Sequence, residues 1–402
     1  MKKLKILLIS AVILLNFTDY NTINAASGKE RAKYVFLFIG DGMGLAHIAA
    51  TEAYLAAKKG IIGSESLNFT KFPYVGLLTT HSSNHYITCS SAAGTAMATG
   101  VKTKNYMLGV DSDTNKLRAV TYKIKDRGYK VALLTTVSVD QATPAAFYAS
   151  SAKRSDYYGI ATQMPESGFD FFGGGGFAEP KGKNGDKESV YDLAKSAGYK
   201  VVYDTASANS ERGSKLLLVQ KSGKAELPLA IDRTKEDITL KQLVESAIKN
   251  VDNKRGFFIM AEGGQIDWTA HSNDAKSTIL EIIDMADAVN AAYEFYLKHP
   301  KETLIIVTAD HETGGLSIGK DSGYNINLKA LDKQESSASR SPEKKGEIAK
   351  LNASAQLGWT TRSHTGIMVP LFAIGAGSSS FAGKMDNTEL PRKICTAMGI
   401  TF

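Results

Sequence analysis

The feature that most constrains this chain is a set of short runs that stay hydrophobic without alternating. Five stand out, over residues 34–39, 131–136, 256–261, 304–308 and 370–374. A strand with one face in water alternates apolar and polar side chains, so unbroken runs rich in β-branched and aromatic residues describe strands covered on both faces. Helical patterns separate them. That alternation predicts an α/β fold, a three-layer α/β/α sandwich around a central, mostly parallel sheet. In such sheets the functional groups collect just beyond the carboxyl ends of the strands.

Acids and imidazoles stand there repeatedly. Asp41 follows the first run, Glu262 and Asp267 follow the third, and Asp310 with His311 follow the fourth. Any one of them taken alone is explained as a turn residue or helix cap. Three strand ends carrying metal-ligand residue types point instead to a shared site. Asp267 and His271 lie four apart, so on a helix they project from one face. A carboxylate and an imidazole so placed suit zinc, and the competing explanation is a surface ion pair. Asp310 and His311 end a buried strand that runs into glycine, where the chain can turn both toward one point. His364 sits in a polar loop before the last strand. His47, His81, His85 and His299 have no accompanying pattern and are assigned to the surface or to packing.

The nucleophile candidate lies in the run of small residues from Thr88 to Gly100. Small side chains opening a helix let a ligand approach closely, and the free amides there favour an anion such as phosphate. A serine in that place attacks phosphorus if a metal lowers its hydroxyl pKa.

Residues 1–25 read as a secretory signal peptide, with Lys2, Lys3 and Lys5, a run of apolar residues, and small residues around Ala25 and Ala26. The apolar run is too short to span a bilayer and no later stretch is long enough, so the mature chain is expected to be exported and to have no transmembrane helix. The formal charge of +7 falls to +5 without the three lysines and Asp19 of that segment, a mild excess that suits anionic substrates. No nucleic-acid-binding module is visible. Residues 26–402 read as a single domain, less regular over about 165–235, with strand candidates at 201–203 and 216–219 and an exposed or mobile loop over about 333–350. The glycine run 173–176 lacks the lysine and hydroxyl residue of a P-loop and is expected to be a turn. Cys89 and Cys395 are the only cysteines. The fold therefore rests on no disulfide framework, and sequence leaves open whether the two meet.

From about Tyr34 to the last strand, the chain resembles the alkaline phosphatase family. The resemblance is carried, in order, by Phe38-Ile-Gly-Asp41-Gly-Met-Gly44, Gln141-Ala-Thr143-Pro-Ala-Ala146, the stretch from Glu262 to His271, Thr308-Ala-Asp310-His311 and His364-Thr-Gly366. It implies hydrolysis of small-molecule phosphate monoesters through a phosphoserine, with two zinc ions and one magnesium. By position, it implies one zinc on Asp267, His271 and His364 and a second on Asp41, Asp310 and His311. It also implies a magnesium on Thr143 and Glu262 that Asp41 bridges. Counting back from Thr99-Gly100 makes Ser90 rather than Ser91 the nucleophile. Arg154 falls where the family holds its phosphate-binding arginine, and a homodimer is expected by the same resemblance.

Three positions depart from the family pattern. Cys89 replaces an aspartate that orients the arginine in most members, so Arg154 is expected to be more mobile or differently held. Gln141 and Trp268 stand near the metals where others carry Asp or His, and Lys or His. The rival readings are a related two-metal phosphodiesterase, a sulfatase and a non-catalytic exported binding protein. Thr143 and Glu262 match the third-metal site of monoesterases, and Cys89-Ser-Ser-Ala-Ala lacks the sulfatase pattern. A filled set of site positions argues against the non-catalytic reading.

Overall fold

The computed structural model describes residues 31–402 apart from Ser222 and Ser322; the segment read as a signal peptide lies outside the described residues. Ten strands form one sheet: β1 (Tyr34–Gly40), β2 (Tyr74–Thr79), β3 (Lys130–Thr135), β4 (Phe171–Gly174), β5 (Lys200–Val202), β6 (Leu216–Val219), β7 (Phe257–Gly263), β8 (Thr303–Thr308), β13 (Val369–Gly375) and β14 (Gly383–Asp386). Their order is β14-β2-β13-β8-β1-β7-β3-β4-β6-β5. Every neighbouring pair is parallel except for the two that β13 makes, with β2 and β8. The five apolar runs are all strands of this sheet, and β1, β7 and β8 are buried along their whole length. Burial on both faces is what their unbroken hydrophobicity required.

Two sets of helices cover the sheet, each packed mainly within itself. One contains α1 (Leu45–Lys58), α4 (Leu240–Val251) and α6 (Ala275–Lys298); the other contains α2 (Ser90–Thr99), α3 (Ala142–Ala145) and α8 (Leu390–Met398). Between them in sequence lie α5 (Gln265–His271), directly after β7, and α7 (Lys345–Ser354). Two small antiparallel pairs complete the description: β9 (Glu312–Thr313) with β12 (His364–Thr365), and β10 (Leu316–Ile318) with β11 (Leu357–Trp359).

The less regular segment over 165–235 supplies β4, β6 and β5 and extends the sheet, with β5 and β6 at the expected strand candidates 201–203 and 216–219. Two expectations are corrected in part. Residues 173–176 are not simply a turn, since Gly173 and Gly174 end β4. A Cβ at Gly173 would lie 3.0 Å from Leu134 Cδ2 and 3.1 Å from Leu243 Cδ2, so glycine lets β4 pack between β3 and α4. Residues 333–350 are a loop only over 334–341: they end a 3₁₀ turn (Leu328–Lys333) and enter α7, and within the otherwise largely exposed stretch Ser337 and Ala338 are buried. Polar bonds rather than apolar periodicity hold that stretch, since Asp232 accepts from Ser337 N–H at 3.1 Å and Asp274 accepts from Ala338 N–H at 2.8 Å.

Candidate active site

The sheet topology gathers the chemistry at one edge. Parallel β1, β7 and β8 deliver Asp41, Glu262 and Asp310-His311 at their carboxyl ends, and α5 carries Asp267 and His271 from the end of β7. Because β13 runs the other way, the residues before it, His364 among them, arrive at the same edge. β2 leads through residues 80–89 to Ser90 at the N-terminus of α2. The β9–β12 pair sets His364 beside Thr313 in register, which binds the segment after β8 to the loop before β13.

Asp267 and His271 meet as one helical turn dictates, with His271 Nε2 3.3 Å from Asp267 Oδ2. His364 Nε2 lies 3.6 Å from Asp267 Oδ1 and 3.2 Å from His271 Nε2. The Nδ1 atoms of the two rings contact carbonyls, His271 that of Arg362 at 2.6 Å and His364 that of Thr88 at 2.9 Å. An Nδ1–H donated to a carbonyl leaves the Nε2 lone pair as an acceptor, so two acceptors face each other across 3.2 Å. A cation between them resolves that opposition.

A second cluster shares its wall. His311 Nε2 lies 3.3 Å from Asp41 Oδ1, 3.3 Å from Asp310 Oδ2 and 3.3 Å from Ser90 Oγ. Asp41 and Ser90 are buried to a few per cent exposure, and Asp310 and His311 completely. Gly42 holds the turn after Asp41 at φ +73, where a Cβ would lie 2.8 Å from Thr313 Oγ1 and 3.0 Å from Asp267 Oδ1. Only glycine meets both demands there.

The donor set fits divalent cations. Asp41 Oδ1, Asp310 Oδ2, Glu262 Oε1 and Thr143 Oγ1 are buried side-chain oxygens with no hydrogen-bond partner among the described residues. Buried polar atoms are ordinarily satisfied, and orphaned oxygens suit coordination positions; Asp41, Asp310 and His311 bring ligand atoms together, as do Asp267, His311 and His364. The electrostatics agree. Burial, with Asp310 and Asp267 nearby, raises Asp41 well above the usual carboxylate range. Burial lifts Glu262 to about 8 and, with the charge of Asp267, Asp310 to about 7. Burial opposes ionisation of Asp267 too, yet His271, His311 and His364 hold its carboxyl well below normal. His311 is lowered by burial and by the neighbouring imidazole of His364, which keeps its ring a neutral ligand.

Ser90 and Ser91 are told apart by their partners. Ser91 Oγ lies 3.1 Å from Cys89 Sγ, away from the cluster that Ser90 Oγ joins. Cys89 Sγ also accepts from Tyr106 N–H at 3.1 Å, so the residue that replaces the family's aspartate serves the local fold. Both cysteines are free and buried. Arg154 is held instead by Gln141, whose Oε1 accepts from Nη2 at 3.5 Å, and its backbone N–H donates to Tyr106 O at 2.8 Å. Its positive charge is felt at both His311 and His364.

Three residues of the surroundings escaped the sequence reading. Thr313 Oγ1 donates to Asp267 Oδ1 at 2.5 Å and lies 3.3 Å from His311 Nδ1. Thr135 donates to Glu262 Oε2, and Glu312 takes Thr365 Oγ1 and the Gly315 N–H. Thr313 and Glu312 stand beside His311 in sequence, the only available signal, and Thr135 carried none. His47, assigned to surface or packing, is packed, with its Nδ1 accepting from Gly44 N–H at 3.0 Å.

Carboxylates and imidazoles around a buried serine at the carboxyl edge of a mostly parallel α/β sheet define the class of divalent-metal phosphatases. The chain belongs to the alkaline phosphatase family, whose model matches residues 32–400. It is 33% identical to alkaline phosphatase 3 of Bacillus subtilis over 92% of this chain and 90% of that one. Alkaline phosphatase 4 of the same organism is 32% identical over 96% and 95%. Among solved structures, the cold-active alkaline phosphatase of Shewanella sp. superimposes with a TM-score of 0.82 at 28% identity, covering 91% of this chain and 99% of that one. The Thermus thermophilus alkaline phosphatase gives 0.79 at 26%, covering 92% of each. Hydrolysis of phosphate esters by this chain follows from family and fold together.

Proposed function

We propose that this protein hydrolyses phosphate monoesters by passing the phosphoryl group through Ser90 at a centre of two zinc ions and one magnesium. The observation that carries this reading is Ser90 Oγ 3.3 Å from His311 Nε2, inside a pocket of buried oxygens that have no partner. Asp267, His271 and His364 would hold one zinc, and Asp41, Asp310 and His311 the other. Thr143, Glu262 and Asp41 would hold the magnesium. When bound, these ions supply Lewis acidity that lowers the hydroxyl pKa of the nucleophile and offsets charge on the transferring group.

The chain's own residues do the rest. Ser90 Oγ attacks phosphorus in line with the departing alcohol, forming the Oγ–P bond as the ester P–O bond breaks. Water then cleaves Oγ–P to release inorganic phosphate and restore the serine. The first amides of α2 have no intrahelical acceptor and point their dipoles at the anion. Arg154 offers a planar fork to two phosphoryl oxygens, and Gln141 keeps that fork aimed. Thr313 fixes the Asp267 carboxylate and Thr135 fixes Glu262, so both keep their orientation through turnover.

Residues 1–25 support export to a periplasm or the outside, and the family resemblance supports a homodimer. Among the described residues no helix is long and apolar enough to cross a membrane. The test is turnover of an aryl phosphate monoester, the matching diester and the matching sulfate by purified protein at mildly alkaline pH, with chelator and after zinc and magnesium are restored. Chelator-sensitive monoester turnover rescued by the metals is expected. Faster diester or sulfate turnover by the fully metallated protein would transfer the reading to those chemistries.

A further inference from the structure

The short pair β9–β12 has two sides, and only one of them faces the metal cluster. Successive residues of a strand point to opposite faces. On one face Thr313 Oγ1 donates to Asp267 Oδ1 at 2.5 Å and lies 3.3 Å from His311 Nδ1, and His364 Nε2 lies 3.6 Å from Asp267 Oδ1. Glu312 and Thr365, opposite each other in register, stand on the reverse face. There the Glu312 carboxylate accepts from Thr365 Oγ1 and, at 2.9 Å, from Gly315 N–H.

This buried carboxylate gathers three ligand-bearing segments. Thr365 follows His364, and Gly315 belongs to the turn after Asp310 and His311. The third segment is the turn after Asp41, where a Cβ on Gly44 would lie 2.4 Å from Glu312 Cγ, so the glycine backbone rests against the stem of the glutamate. His47 Nδ1, 3.8 Å from Glu312 Oε1, adds no ion pair: it accepts from Gly44 N–H, and burial pushes the imidazole down to about 4. What depends on the join is the spacing of the two clusters. The rings of His311 and His364 stack 3.6 Å apart at 21°, yet in the reading above they serve different zinc ions. With two residues in each strand, β9–β12 is too short to hold that register through its backbone alone.

We propose that Glu312 is a positioning residue of the metal centre: by clasping Thr365 behind β9–β12, it locks the His364 loop to the turn after His311 and fixes His364 as a ligand. The proposal rests on the two-zinc reading of the centre. Removing the carboxylate leaves a buried hydroxyl and a buried amide without their acceptor, and the His364 loop loses its side-chain tie to β9. The two zinc sites then respond unequally. Asp267, His271 and His364 form the site that loses a fixed ligand. Asp41, Asp310 and His311 follow β1 and β8, which pair along the sheet, so their site keeps its frame.

The test withdraws zinc from the metallated protein with a chromophoric chelator, in wild type, Glu312→Ala, Glu312→Gln, Thr365→Val and the double variant Glu312→Ala with Thr365→Val. Glu312→Ala is expected to weaken one zinc site about tenfold or more and to leave the other within about threefold. Gln keeps an acceptor for the Thr365 hydroxyl and should restore most of the loss. Thr365→Val should reproduce the loss, and the double variant should add nothing to it, as for two residues acting through one bond. Thr365→Val deletes only the donor, so it carries the test if Glu312→Ala does not fold. Zinc affinities within about threefold of wild type in the folded variants, an equal loss at both sites, or an additive loss in the double variant overturns the positioning role and leaves the metal centre in place. A wild type that binds no zinc overturns the metal reading itself, and the proposal with it.

Discussion

Replacing Asp310 by asparagine should halve the thermal stabilisation that zinc confers without lowering stability in its absence. Asp310 is fully buried, and burial together with the charge of Asp267 lifts its carboxyl to about 7 from a normal value near 3.8. The folded state then holds a proton that the unfolded chain has released, so this group subtracts stability as pH rises from about 4 through 7. Each unit of that displacement costs about 1.4 kcal/mol. Asparagine avoids the penalty and keeps the existing bonds, because Oδ1 can still accept from Gly42 N–H at 3.2 Å and His311 N–H at 2.9 Å. At pH 8 with chelator, Asp310→Asn should melt no lower than wild type. With zinc at a thousand times its dissociation constant, each filled site adds about 4.1 kcal/mol. Unfolding entropy is about 2.1 cal/mol/K per residue, or roughly 0.8 kcal/mol/K for 402 residues, so each site raises Tm by about 5 °C. Wild type should gain about 10 °C from two zinc sites and the variant about half of that. Differential scanning calorimetry in buffered zinc and in chelator reads both numbers. An equal zinc-induced gain in the two proteins, or none in wild type, would refute the assignment of Asp310 to a metal.

Two further substitutions reach parts of the account that lie outside the ligands themselves. Thr313→Val removes the hydroxyl that orients Asp267 and should weaken zinc binding by about 10- to 100-fold, measured by competition with a chromophoric chelator; unchanged affinity would show that Thr313 only packs. Glu281, pushed up to about 8 by burial and by Asp284, subtracts stability as pH rises from about 5 to 8, again because the folded state keeps the proton. Glu281→Gln keeps the acceptor for Ala230 N–H, so in chelator the variant should lose less stability than wild type over that interval by urea denaturation.

The sheet was legible in the sequence because burial on both faces leaves a mark in single residues: β1, β7 and β8 are apolar at almost every position. The candidate ligands Asp41, Glu262, Asp310 and His311 stood out for a related reason, since each lies at or just past the end of such a run. The three outer strands β4, β5 and β6 were weak because they are short and, in β4, because Gly173 and Gly174 stand where packing allows no side chain. Residues 333–350 misled because their order comes from Asp232 and Asp274, two acceptors remote in sequence. The replacement of an acid by Cys89 pointed to an altered hold on Arg154, but the identity of the substitute holder, Gln141, needed coordinates.

The central claim is that Ser90 carries the phosphoryl group. Metallated protein mixed with a monoester bearing labelled phosphate, quenched in acid within the first turnovers and mapped by peptide mass spectrometry, tests it directly. The account predicts label on the peptide containing Ser90 in wild type, with neither label nor turnover in Ser90→Ala. Turnover that persists in Ser90→Ala, or label found on another residue, would contradict it.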